Sequence, residues 1–182
     1  MKKLMTAGLL VILLSGCSAA SSEPNNSELS GEWICHSIPT KDSATYDRLD
    51  HFILNADGSG SLRGISSIDL EKDLVIRYLT KGKVNWQNKN NVLSFDFINR
   101  KITPAHSKNV AKVVKNNPDL QRMEKEKFDD FYCKCSDHVE MPIELKNNGK
   151  KLILGEDYAI CRRATENDKD IQLLNKFFSG KK

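Results

Sequence analysis

Residues 51–66 read HFILNADGSGSLRGIS, and this stretch decides the fold class. His51 to Ala56 alternates apolar and polar side chains, the period-2 pattern of a strand with one buried face. Asp57-Gly58-Ser59-Gly60 follows with the short polar residues and glycines that a tight reversal needs. Ser61 to Ser66 then reads as the returning partner, so the segment predicts a β-hairpin.

The same grammar continues on both sides. Upstream, Leu29 to Ile38 (LSGEWICHSI) is strand-like, with Trp33 and Cys35 on one face and Ile34 and His36 on the other. Downstream come Leu74 to Leu79 (LVIRYL), a break at Lys81-Gly82, Lys83 to Gln87 (KVNWQ) and a polar turn at Asn88 to Asn91. Val92 to Ile98 alternates cleanly, placing Leu93, Phe95 and Phe97 on one side and Ser94 and Asp96 on the other. Strands return at Met141 to Leu145, Lys151 to Leu154 and Tyr158 to Arg163, with Asn147-Asn148-Gly149 as a hairpin turn.

Two segments depart from this pattern. From Ala105 to Tyr132 there is no period-2 signal. Asn117-Pro118-Asp119 there reads as an N-cap followed by proline at the first helical position. A helix is expected over about Pro118 to Tyr132, with Leu120, Met123, Phe128 and Phe131 broadly on one face, and a shorter one around Lys108 to Val114. Glu166 to Phe178 carries Ile171, Leu174, Phe177 and Phe178 and predicts a closing helix.

Eight or so short antiparallel strands in hairpin order suggest an up-and-down meander closed into a barrel or a strongly curled sheet. Closure removes the free edges that invite aggregation. With Gly31-x-Trp33, the Asp57-Gly58-Ser59 hairpin and the Gly149-Lys150-Lys151-Leu152 run into a strand, the chain resembles small lipocalin-like envelope lipoproteins. That resemblance implies an apolar cup able to hold a small ligand, although barrels of this size are often filled by their own side chains. The helical insertion, about 105–132, departs from the simple lipocalin plan.

The N-terminus gives the location. Lys2 and Lys3 precede an apolar run from Leu4 to Leu14, followed by Leu14-Ser15-Gly16-Cys17. A helix of that run rises about 16 Å, short of the roughly 20 residues that span a bilayer, so it reads as a signal-peptide core. The four residues ending at Cys17 resemble the lipobox of bacterial lipoproteins. The resemblance implies cleavage before Cys17, a diacylglyceryl group on its sulfur and acylation of its freed amine. One acyl chain binds a membrane marginally, whereas two or three hold it durably. Ser18-Ala19-Ala20 offers an alternative cut after Ala20, but a cysteine at the end of the apolar core favours the lipid anchor. By the same resemblance, Ser18 in place of Asp favours the outer membrane, facing the periplasm.

On this reading residues 1–16 are a signal peptide, 17–30 a lipidated start and flexible tether, and 31–182 a single β-rich domain. Removing the first 16 of 182 residues takes away two lysines and no acids, so the formal charge falls from +4 to +2. Such a near-neutral domain gives no argument for nucleic acid or for an anionic lipid surface. Lys125, Lys127, Lys134, Lys150 and Lys151 read as scattered positive surface.

Besides Cys17 the chain holds Cys35, Cys133, Cys135 and Cys161. An even set in an oxidising compartment argues for two disulfides with three possible connectivities. A Cys133–Cys135 bridge would close a very small strained ring, so the favoured arrangement joins one of that pair to Cys35 and the other to Cys161. Cys133-x-Cys135-x-x-His138 has metal-ligand residue types, but disulfides account better for the cysteines, and no metal or cofactor is expected. Cys35 and His36 point to opposite strand faces and cannot act as nucleophile and base. His36, His51, His106 and His138 have no catalytic spacing, Asp129-Asp130 reads as a solvated helix face, and Trp33 and Trp86 read as core before ligand platform. The expectation is a non-enzymatic envelope lipoprotein that binds a small apolar ligand or a protein partner. The alternative is a periplasmic inhibitor or immunity-type protein acting on an envelope-degrading enzyme through the insertion or the 57–60 hairpin.

Overall fold

The computed structural model describes residues 25–37, 46–71, 74–128, 137–155 and 158–180. The hairpin at residues 51–66 sits at the centre of its largest feature. Strand β2 (Tyr46–Leu54) returns as β3 (Ser59–Glu71), with Leu54 opposite Gly60 and Asp50 opposite Gly64. In the turn, the Ser59 amide donates to Asp57 Oδ1 at 2.8 Å, and Gly58 takes φ +86°, a left-handed conformation that favours glycine. Asp57 is thereby held in its ionised form.

Around this hairpin the chain adds β1 (Gly31–Ser37), β4 (Leu74–Lys89), β5 (Val92–Pro104), β6 (His138–Lys146), β7 (Lys151–Leu154) and β8 (Ala159–Arg163). Each strand pairs antiparallel with the next, and β8 pairs with β1, so the sheet closes into an eight-stranded, lipocalin-like up-and-down barrel. Trp33, Cys35, Phe52, Leu54, Leu93, Phe95, Leu152 and Leu154 point inward, and Phe97 packs against them, as the alternation requires.

Two boundaries differ from the sequence reading. The runs at 74–79 and 83–87 form one sixteen-residue strand, with Gly82 inside it. Gly82 marks a close approach of chains: a Cβ there would stand 3.2 Å from Arg100 Cα, where β5 bulges between Ile98 and Lys101. At the other end, residues 26–29 of the expected tether form a short helix, α1 (Asn26–Leu29), capped by Asn25, and Leu29 is fully buried.

The insertion is helical, as expected. Helix α2 (Lys108–Lys115) is capped by Ser107, and α3 (Pro118–Phe128) begins on the Asn117 side chain, which accepts from the Asp119 and Leu120 amides. Val110 and Val114 pack against Ile68, Ile76 and Tyr78 of the long β3–β4 hairpin. Met123, expected on the buried face, is exposed. Helix α4 (Lys169–Phe178) closes the chain and lies against the outside of the barrel, where Leu174 joins Ile34, Leu49 and Ile65 in a second core.

The favoured disulfide arrangement is corrected. Cys35 pairs with Cys161, not with Cys133 or Cys135, and their Cα atoms lie 3.9 Å apart across the β1–β8 register. Strand closure makes them direct neighbours although 126 positions separate them in the chain. Cys133 and Cys135 lie outside the described residues, as do Cys17, residues 1–16 of the expected signal peptide, and Asp129-Asp130.

Candidate binding site

The barrel interior is built in layers. At the end near α1, Trp33 Nε1 donates to the Leu29 carbonyl at 2.7 Å, and the Arg163 guanidinium lies over the Trp33 ring, 3.9 Å from its centroid. Arg163 also donates to the carbonyls of Ser30 and Glu28, and to Gly149 O at 3.1 Å. Gly31, at φ +118°, leaves room for that guanidinium, since a Cβ would stand 2.7 Å from Nη1. Gly31-x-Trp33 is thus explained by local contacts: the glycine admits Arg163 and the tryptophan supports it. Trp86, the other candidate ligand platform, donates Nε1 to Ser59 O at 2.9 Å and is buried core.

Above this layer Phe52 and Phe95 stack with centroids 5.3 Å apart. Higher still, Asp50 is buried beside Arg48, with Arg48 Nε 2.6 Å from Asp50 Oδ2, and Arg48 Nη1 donates to the Tyr158 hydroxyl at 2.9 Å. Burial raises the Asp50 carboxyl above the usual carboxylate range, and the Arg48 charge opposes that rise. Gly64 sits opposite because Asp50 Oδ1 occupies the space of its missing side chain, 2.0 Å from where a Cβ would be. The void in this upper layer is about 60 Å³, and one in the lower layer is about 10 Å³. Pockets that enclose small ligands run to roughly 300–1,000 Å³. These layers are packed core with room for a few waters.

The histidines serve the frame. His36 points outward, opposite in direction to Cys35, and pairs with Asp170 at 3.0 Å. His106 Nδ1 accepts from the Arg77 amide at 2.9 Å, so its proton sits on Nε2 and is donated to Glu124 Oε1 at 2.6 Å. The Tyr78 hydroxyl donates to the same oxygen at 2.9 Å, which pins α3 to the barrel. His138 lies between Asp96 and Glu140, whose carboxylates raise its affinity for a proton.

Outside the barrel the arrangement is different. A groove of about 700 Å³ runs over the outer face of β2 to β5, bounded at one end by Phe178 of α4. Arg63 on β3 stands opposite Lys81 on β4, which stands opposite Lys101 on β5, and Lys83 lies two residues further along β4. All four line the groove and no acidic residue does. Among the described residues, none of the three lysines forms an ion pair within 4 Å. Arg63 is held by two hydrogen bonds: Nε donates to His51 Nδ1 at 3.0 Å and Nη1 to Asn175 Oδ1 at 2.6 Å. His51 can accept because burial keeps its imidazole neutral, and its Nε2–H donates to Glu32 Oε2 at 3.0 Å.

This cluster is not visible along the sequence. Its members lie on three strands, and only the register assembles them. A signal was present in Lys81-Gly82-Lys83, because two lysines at i and i+2 of one strand share a face. Reading Lys81-Gly82 as a break between two runs concealed it. Comparison with known protein families gives no match, and comparison with curated proteins gives none either.

Proposed function

We propose that the chain is a lipid-anchored, non-enzymatic binding protein of the bacterial envelope that engages its partner on the outside of the barrel, at the basic groove. Cys17 carries the lipid on this reading, and the periplasmic face of the outer membrane is the expected location. The observation that carries the proposal is the contrast in space: an interior void of about 60 Å³ against an outer groove of about 700 Å³ lined by four cations. The inhibitor reading asks for a projecting loop. The 57–60 hairpin is held down by the Trp86 amide, which donates to Gly58 O at 2.7 Å, and α2 packs on the β3–β4 hairpin. The groove is therefore the better contact surface, whether or not the partner is an enzyme.

The test places a photo-crosslinking residue at Lys83 in the groove, or at Lys151 on β7, in the intact anchored protein. Adducts of protein or lipid, read by mass, are expected from Lys83 and not from Lys151; equal yields would count against the groove. Cys17→Ala should abolish palmitate labelling and release the protein from membranes, and continued labelling would sink the anchor.

A further inference from the structure

We infer that the groove takes a phosphate-bearing amphiphile, with the phosphate on the Arg63–Lys81–Lys101 row and the apolar part against Ile53 and Phe178. The inference rests on the reading of this groove as the binding surface and names the chemistry it selects. Neighbouring strands lie about 4.8 Å apart and alternate residues on one strand about 7 Å apart, so the Cα atoms of the four cationic residues sit within roughly 10 Å of one another. Like charges directly opposite on adjacent strands oppose the pairing that aligns them. The register sets two such pairs side by side, Arg63 with Lys81 and Lys81 with Lys101. No acid lines the groove to offset them. A fold that keeps such a row gains from it when an anion is present.

The form of the anion follows from the donors. Arg63 is fixed through Nε and Nη1, and both hydrogen bonds lie on the side of His51 and Asn175. Nη2 carries no hydrogen bond among the described residues and is preorganised to donate. A guanidinium edge beside mobile lysine ammoniums suits an oxyanion with several acceptors and more than one negative charge. A phosphate monoester carries about −1.5 to −2 near neutral pH and three such oxygens, where a carboxylate offers one charge and two. Beside the cations and the polar His51, Ser61 and Asn99, the groove carries apolar surface: Ile53 and Phe178 line it, and Ile98, 40% exposed, stands opposite Lys83 in the register next to it. A purely ionic ligand would leave that surface wet, so an attached apolar chain completes the fit.

The barrel and its helices lie within residues 25–180, so the chain from Ser18 to Lys182 is a folded unit suited to the test. Its flotation is measured with phosphatidylcholine vesicles, with the same vesicles containing phosphatidic acid, and with inorganic pyrophosphate as competitor. Binding is expected to the phosphatidic acid vesicles alone, with displacement by pyrophosphate and amide shifts at Arg63, Lys81 and Lys101. Lys81→Gln/Lys101→Gln should weaken it by about tenfold or more, while Lys150→Gln/Lys151→Gln, an equal loss of charge elsewhere, should leave it nearly unchanged. Equal weakening by both double variants would overturn the site, and pyrophosphate binding without vesicle binding would overturn the amphiphile. If neither probe binds while Lys83 still crosslinks a protein, this inference fails and the groove reading stands. If Lys83 forms no adduct either, both fail.

Discussion

The β1–β8 seam and the outer face of β3 to β5 both carry cationic side chains, and they treat them in opposite ways. At the seam every arginine is surrounded. Arg163 stacks on Trp33 and donates to three carbonyls. Arg162 grips Asp168 and reaches Asp170 at 2.7 Å, and holds the Asp168 carboxyl well below the usual carboxylate range. In the groove four cations share one face with no carboxylate among them. Charge that is fully partnered maintains a structure, whereas charge collected and left open is available to something outside the chain.

The contrast can be broken first at the seam. Cys35→Ala/Cys161→Ala removes the bridge across the closing strand pair, and urea unfolding should show a loss of about 2–5 kcal/mol. A smaller loss would mean that β-pairing alone secures the closure. Arg163→Ala removes charged hydrogen bonds and a cation–π contact together, and about 3 kcal/mol is expected by the same measurement. Retained stability would place the closing of this barrel end on Trp33 and Leu29 alone.

Acidity should reach the boundary between the two regions, at His51. Burial holds this imidazole below its ordinary value of 6.5, assisted by the Arg63 charge and opposed by Glu32 and Asp168. The unfolded chain therefore takes up a proton that the folded chain resists. The contribution of His51 is intact above about pH 6.5 and is lost as pH falls below it. Thermal midpoints of wild type and His51→Gln across pH 5–8 should converge toward the acid end. Parallel curves would show that His51 does not titrate with unfolding.

Much of the barrel was legible because its signals are local. The alternation of Leu93, Phe95 and Phe97, the Asp57–Gly60 turn and the Asn117-Pro118 cap each sit within a few residues, and each element forms where its pattern lies. The disulfide was not legible, because pairing Cys35 with Cys161 depends on the last strand returning to the first. The merger of two runs into β4 was hidden by Gly82, whose role is to admit Arg100 of the neighbouring strand β5. The groove was hidden for the same reason, since Arg63, Lys81 and Lys101 become neighbours only across two registers. What a sequence conceals here is whatever strand pairing creates.

The row of like charges in the groove opposes the fold that carries it. The thermal midpoint of Lys81→Gln/Lys101→Gln, compared with wild type at low and high salt, addresses it most directly. The variant should be more stable than wild type at low salt, by about 0.2–1 kcal/mol for each like-charge pair relieved. The gap should close as salt screens the charges. A variant less stable than wild type at low salt would contradict the account, because the lysines would then be supporting the barrel.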